Sequence, residues 1–425
     1  MTYEQALAYI AALEPRGWRL GLDRMQEFVH RAGLDQSIGN PSGPQFIHVA
    51  GTNGKGSTTA FLQSILVESG YRTGSFFSPF VVDPRERVQF GRELIGKQEL
   101  ADLTEALIPV ADSLTDSEFG GITEFEFKTA IGFQYWKQRH AEWVALEVGL
   151  GGRLDATSVV TPRASIIVSI GLDHMHILGD TRAKIAFEKA GVIKPGVPVI
   201  VGDLPPDALE VVTEVAQANT APIWRWGHEV LWDKDQHAVT TPNGTHSGLF
   251  PSLVGQIQEH NLTLAVAALD AAGALKDEES IQTGAAAATI PGRFQRIQYR
   301  GRTILLDGAH NPDALAVLRQ ALEAEYGAKR CILVTNMLQG HEPEQFFVQL
   351  KDQVSTVHVV PISFHRSTPV PDMVEHLQKT FSTVTGHESV MDGVDAAVAE
   401  SQPDDIVLVT GSFYMVGEVI RGIGG

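Results

Sequence analysis

A chain of 425 residues is too long for one ordinary hydrophobic core, so two domains are expected. Apolar residues make up 43% and charged residues 20%, the balance of a soluble globular protein, and no apolar run approaches the roughly 20 residues of a membrane helix. The formal charge of −18 argues against a nucleic-acid binder, although local basic groups and metal ions still admit anionic substrates.

Residues 1–20 carry Glu4, Glu14, Arg16 and Arg19 in an amphipathic pattern, unlike a secretory signal, so a cytoplasmic protein is expected. The sequence patterns Asn243-Gly244-Thr245 and Asn261-Leu262-Thr263 then have no bearing as glycosylation sites. Phe46-Ile47-His48-Val49-Ala50 reads as a strand, followed by a glycine-rich turn and a helix over about 57–69. Trp143-Val144-Ala145-Leu146, the run 164–170 and the run 197–201 add buried strands, with a helix over 181–190 between the last two. Residues 226–255, with Asn243-Gly244 as a hairpin turn, read as a small β excursion.

A second cycle of strand and helix begins near 303, with strands at 303–306, 330–335, 356–360 and 405–410 and a helix at 312–324. Cys331, the single cysteine, reads as a small core residue within the second of these strands. Alternation of this kind implies mostly parallel sheets flanked by helices. Ile290-Pro291-Gly292-Arg293 breaks regular structure between the cycles. The expected fold is therefore α/β in two domains. Residues 1–292 form an N-terminal P-loop-type domain, and 297–425 a smaller C-terminal Rossmann-like domain.

Gly51-Thr52-Asn53-Gly54-Lys55-Gly56-Ser57 joins the first strand to its helix. Its glycines let backbone N–H groups turn inward on an anion at a helix N-terminus, Lys55 would reach terminal phosphates and the Ser57 hydroxyl would meet Mg²⁺. The spacing is shorter than the common G-x-x-x-x-G-K-[ST] loop, and a ligand-free turn is the plainer alternative. Glu147 and His174 each stand just past a strand, where ligands bind in open parallel sheets, and would suit a divalent cation. Alternatively, Glu147 pairs with Arg153 and His174 caps a helix. Lys189 lies on a helix and, by pattern alone, reads as a solvated surface charge. Asp307-Gly308-Ala309-His310-Asn311-Pro312 links a strand to a helix; Asp307 and Asn311 are good turn and cap residues, and Asp307 is also placed to grip a ribose.

In order and spacing, residues 51–57, 147–155, 171–174, 188–191, 291–293 and 307–312 resemble the folylpolyglutamate synthase and dihydrofolate synthase family, within the Mur ligase superfamily. Residues 21–25 and 411–418 extend the resemblance to essentially the whole chain. It implies an ATP-dependent ligase that joins L-glutamate to a folate-type carboxylate, dihydropteroate or a reduced folate, through an acyl phosphate. It further implies that Ser57, Ser78, Glu147 and His174 ligate Mg²⁺, joined by Lys189 as a carbamylated lysine. Gly51 to Ser57, Asn261, Arg293 and Asp307 would bind ATP across the two domains. Lys55, Lys189 and His310 would serve catalysis, and Thr123, Glu124, Phe125, Glu126, Leu154, Asp155 and Ala156 would contact the pterin side. A monomer, with small-molecule partners only, is expected.

The sequence departs from the family where Phe80 replaces a frequent His, Ser158 a common Asn, and Asn336-Met337-Leu338-Gln339-Gly340-His341 an Asp-Lys-Asp cluster that bears on glutamate handling. Three other readings compete with this one. A cell-wall amino-acid ligase carries a whole domain before its P-loop, where this sequence has 50 residues. A guanine-nucleotide switch would show N-K-x-D, which this sequence lacks. A relative that only binds its ligands is the third.

Overall fold

A computed structural model describes residues 1–14, 17, 19, 21–39, 43–327, 329–340, 342–364 and 366–424. The chain divides into two compact units, and each is described by itself. The first comprises 1–79, 85–252 and 259–289; the second comprises 80–84, 253–258 and 290–425.

In the first unit, β1 (Gln45–Ala50), β2 (Thr73–Phe76), β3 (Val88–Phe90), β4 (Glu93–Leu94), β5 (Trp143–Glu147), β6 (Ala164–Ile167), β7 (Val199–Val201) and β8 (Ile223–Arg225) form one sheet in the order β4-β3-β2-β5-β1-β6-β7-β8. All pairings from β2 across to β8 are parallel, and β3 and β4 add an antiparallel edge. The central strands are buried, as strands covered by helices on both faces must be. The larger apolar cluster joins Phe46, Phe76 and Leu146 to Phe28, Phe127 and Trp136, and a second joins Ala50, Ile167 and Val199 to Ile185 and Val212.

The sequence run 164–170 yields a strand only to Ile167, because residues 168–171 turn to hold the phosphate loop. The β excursion is a three-stranded antiparallel sheet of β9 (Leu231–Asp233), β10 (Ala238–Thr241) and β11 (Gly244–His246). Thr241 pairs with Gly244, so Pro242 and Asn243 occupy the turn and Gly244 already belongs to the strand.

The second unit holds β12 (Gln295–Tyr299), β13 (Arg302–Leu306), β14 (Cys331–Thr335), β15 (Val354–Val359), β16 (Val384–Gly386) and β17 (Ile406–Thr410), in the order β12-β13-β17-β14-β15-β16. Only β12, at the edge, is antiparallel. Residues alternate between its two faces: Leu305 and Leu333 enter one cluster, while Ile304, Leu306, Ile332 and Val334 enter the other. Cys331 is buried, and burial pushes its thiol up to about 11, as suits a core residue. Among the described residues, no helix is long and apolar enough to cross a membrane.

Candidate active site

The phosphate loop leaves the central strand β1 and opens the helix Lys55–Glu68. Gly54 occupies the N-cap with φ +84 and supplies no side-chain cap, which leaves the first-turn N–H groups without the usual capping oxygen. An uncapped helix N-terminus behind a glycine loop is an anion seat. A Cβ at Gly54 would lie 2.7 Å from Asn261 Oδ1 and 2.7 Å from Val168 Cγ1, so this glycine is needed for close approach as well as for its backbone angle.

The loop is laced to the turn after β6. Thr52 N donates to Ser169 O at 2.9 Å, Asn53 N to Ser169 Oγ at 2.9 Å, and Gly171 N to Thr52 Oγ1 at 2.9 Å. Lys55 folds back, its Nζ donating to the carbonyls of Gly51 at 3.0 Å and Thr52 at 3.2 Å.

Lys189 corrects the sequence reading. It is 5% exposed, on the buried stripe of the helix Arg182–Ala190 beside Ile185, Ala186 and Ala190, and its Nζ donates to Gly51 O at 2.9 Å. Burial, with the neighbouring Lys55 charge, brings its pKa down to about 7, opposed by Asp173 and Asp155.

Ser78, the phosphate loop and His174 follow the carboxyl ends of β2, β1 and β6, and Glu147 ends β5, so all four stand at the carboxyl edge of four neighbouring strands. That is where open parallel sheets bind ligands. Glu147 is the last residue of β5 rather than just past it, is buried, and accepts a hydrogen bond from Ser78 N at 2.9 Å. Arg87 Nη1 donates to Ser78 Oγ at 3.1 Å. Arg153 pairs with Glu188 at 2.7 Å, so the ion pair considered for Glu147 is made elsewhere. His174 is the N-cap of the short helix Met175–Leu178 by position, with φ +50 and no side-chain cap; its backbone N donates to Asp173 Oδ1 at 2.8 Å and its ring is half-exposed.

Among the residues expected to contact the acceptor, Thr123 caps the helix Glu124–Gln138 in a reciprocal box with Glu126. Glu126 also takes Arg24 in a buried ion pair, Nη2 to Oε1 at 2.8 Å and Nε to Oε2 at 2.8 Å. The sequence placed Arg24 only within the resembling run 21–25 and Thr123 to Glu126 only as acceptor contacts; the T-x-x-E pattern could have shown the cap, but not its distant partner Arg24. Glu124 pairs with Lys128 one turn on. Phe125 sets its edge against Phe76 with ring centroids 5.9 Å apart, and Gly149 lies so close that a Cβ there would fall 2.3 Å from Phe125 Cζ. Leu154 and Ala156 flank Asp155, a buried N-cap whose Oδ1 accepts Thr157 N at 3.0 Å and whose Oδ2 accepts Leu150 N at 2.9 Å. Burial raises its pKa, partly offset by those hydrogen bonds.

In the second unit, Asp307 follows β13 and is saturated by backbone donors, Phe294 N on Oδ2 and Ala309 N on Oδ1, each at 2.9 Å. Burial raises its pKa against the pull of Arg293. Arg293 lies over the Phe413 ring at 4.1 Å, and the His310 ring lies edge-on to Phe413 with its Nδ1 donating to Gly308 O at 2.8 Å. Asn311 caps the helix Pro312–Tyr326. Asn336 is buried and ties strand ends together through Val360 O and Thr368 O at 2.7 and 3.0 Å, while His341 lies outside the described residues.

The residues present fit both groups the fold calls for. The uncapped helix start suits a nucleoside triphosphate. The buried Ser57 hydroxyl and Glu147 carboxylate, with the half-buried Ser78 hydroxyl, suit a hard divalent cation that completes its shell with phosphates and water, although among the described residues no three His, Cys, Asp or Glu side chains gather into a metal cluster.

Fold and site together define a two-unit α/β protein with a phosphate loop, of the Mur ligase kind. Residues 292–413 match the family of the Mur ligase glutamate ligase domain. The Bacillus subtilis dihydrofolate synthase/folylpolyglutamate synthase is 31% identical over 430 residues, covering 98% of each chain. Escherichia coli FolC in complex with DHPP and ADP superposes with a TM-score of 0.89 at 33% identity, over 100% of this chain and 98% of that one. The Yersinia pestis bifunctional folylpolyglutamate synthase/dihydrofolate synthase complexed with AMPPNP and Mn ion gives 0.87 at 29%, over 100% and 98%. The chain belongs to the folylpolyglutamate synthase/dihydrofolate synthase family.

Proposed function

We propose that this chain is a cytoplasmic, monomeric, ATP-dependent ligase that adds L-glutamate to the carboxylate of a folate-type acceptor, dihydropteroate or a reduced folate. The observation that carries the reading is the uncapped phosphate loop, with Lys55 and the buried Lys189 both drawn onto the Gly51 carbonyl at the mouth of the sheet. The names and bound ligands of the relatives support it: ADP and DHPP in the Escherichia coli enzyme, AMPPNP and manganese in that of Yersinia pestis. In this reading 1–292 carries the nucleotide chemistry and 297–425 is the glutamate-ligase domain.

A carboxylate does not form an amide unaided, because oxide is a poor leaving group. An acceptor carboxylate oxygen attacks the γ-phosphorus of ATP, the bond to the β-phosphate bridging oxygen breaks, and ADP leaves. The glutamate amine then attacks the acyl carbon, loses a proton and expels phosphate. The loop N–H groups and Lys55 take the charge that grows on the phosphoryl oxygens. Ser57, Ser78, Glu147 and His174, with Lys189 if carbamylated, would hold a divalent cation, which would supply further neutralisation of the phosphate charge. Asn261, Arg293 and Asp307 bind ATP, and His310 serves the glutamate step. Thr123 to Glu126 and Leu154 to Ala156 seat the pterin side. Aligned reactants contribute about 7–11 kcal/mol to such a step.

The purified protein, given ATP, Mg²⁺ and L-glutamate with dihydropteroate, tetrahydrofolate or no acceptor, should release ADP only with an acceptor that gains one glutamate in mass. Gains on both acceptors mean a bifunctional enzyme. ATP binding with no acceptor extended would refute the reading.

A further inference from the structure

Strand β1 places Phe46, His48 and Ala50 on one face of the sheet. Phe46 belongs to the larger apolar cluster and Ala50 to the second. Between them stands a fully buried imidazole, opposite Leu146 on β5 and Ser165 on β6. Burying a polar ring in the central strand costs free energy that an aliphatic side chain would not. Burial, with the Lys194 charge nearby, also holds the His48 pKa down to about 3, so the ring stays neutral.

His48 Nε2 lies 2.8 Å from Thr157 Oγ1, and Thr157 Oγ1 lies 2.5 Å from Asp155 Oδ1. A carboxylate only accepts, so the Thr157 hydroxyl donates to Asp155 and must itself accept from His48. That assigns the ring proton to Nε2. His48 Nδ1 has no hydrogen-bond partner among the described residues, so the Thr157 contact is the ring's polar purpose. Beyond Thr157, the Asp155 carboxylate holds Leu150 N at 2.9 Å, and Gly149 next to it packs on Phe125. Three buried side chains thus join the strand that enters the phosphate loop to the turn 149–155.

We propose that His48 is a positioning residue for the acceptor: through Thr157 it fixes Asp155 and the turn 149–155 in the geometry that seats the pterin side. The inference rests on the functional reading that 123–126 and 154–156 contact the acceptor. It assigns the relay to acceptor affinity and not to nucleotide affinity, because the phosphate loop is held separately: Thr52 N and Asn53 N donate to Ser169, and Gly171 N donates to the Thr52 hydroxyl.

The test compares steady-state kinetics of His48→Leu, His48→Gln, Thr157→Val and Thr157→Ser in the full-length protein. Gln keeps an N–H donor near the Nε2 position, and Ser keeps the hydroxyl. His48→Leu and Thr157→Val should raise the acceptor KM about tenfold or more while the ATP KM stays within about twofold, since Thr157→Val removes the side-chain hydrogen bond to the buried carboxylate and His48→Leu the one that holds the Thr157 hydroxyl. His48→Gln and Thr157→Ser should recover most of the loss. If His48→Leu does not fold, the Thr157 pair carries the same comparison. An unchanged acceptor KM, acceptor and ATP KM rising together, or no rescue by Gln and Ser would overturn the inference. A parent protein that extends no folate-type acceptor would refute the functional reading itself; a parent that does, with variants unaffected, refutes only the relay.

Discussion

The Lys189 amine donates to the Gly51 carbonyl at 2.9 Å, which ties the last turn of the helix Arg182–Ala190 to the residue where the phosphate loop leaves β1. A buried lysine whose hydrogen bond goes to a backbone carbonyl and not to a carboxylate is costly for stability and is placed for chemistry. Lys189→Met should therefore leave thermal stability nearly unchanged or raise it, while lowering ligation about a hundredfold or more. Circular dichroism on heating and ADP release measure the two; near-parent turnover would contradict the assignment.

Lys55 Nζ donates to the loop carbonyls of Gly51 and Thr52. Lys55→Ala should fold normally and lose about a hundredfold or more in ADP release with acceptor present. Normal turnover in a folded variant would remove Lys55 from the phosphate site.

The Gly54 position has φ +84, and a Cβ there meets Asn261 Oδ1 and Val168 Cγ1 at 2.7 Å each. Gly54→Ala should cost about 1–3 kcal/mol in stability and raise the ATP KM, because the strain falls on the anion seat. Urea unfolding and an ATP titration of the rate check both.

Arg24 and Glu126 form a buried pair, with 8% and 5% of their side-chain surfaces exposed, so removing one partner strands the other. Arg24→Met should destabilise by about 3–5 kcal/mol, and Arg24→Met combined with Glu126→Gln by clearly less, since the amide is neutral and still accepts from Thr123. A double variant as unstable as the single would show that packing, not charge, holds this corner.

His48 and His260 are buried, and desolvation lowers their pKa values to about 3 and about 4. The unfolded chain binds their protons below about pH 6.5, where the native state does not. Stability should thus fall as pH drops from about 6.5 toward 4, at about 1.4 kcal/mol per pH unit for each ring. His48→Gln should flatten that slope by roughly one proton in urea unfolding at pH 7, 6 and 5. An unchanged slope would place the titration elsewhere.

Much of this site lay open in the sequence where short-range rules govern. The phosphate loop, the Asn311 cap and the strands β13, β14, β15 and β17 of the second sheet follow from local periodicity and turn chemistry. The burial of Lys189 was legible only in part: it falls on the same helical stripe as Ile185 and Ala186, a pattern that outweighs the usual solvation of lysine. The edge strand β12 escaped notice because its residues alternate between half-buried and exposed without an apolar run. His48 passed as one member of an apolar strand, because its partners Thr157 and Asp155 come from another segment, and Arg24 meets Glu126 across 102 positions. Contacts between segments so far apart are set by tertiary packing, on which no local pattern bears.

The acyl phosphate is tested most directly by following oxygen. An acceptor labelled with ¹⁸O in its reacting carboxylate should, on ligation with ATP and L-glutamate, deliver one ¹⁸O into each inorganic phosphate released, read by mass spectrometry. Phosphate free of the label, with glutamate nonetheless joined to the acceptor, would contradict phosphoryl transfer to the carboxylate and with it the account given for this site.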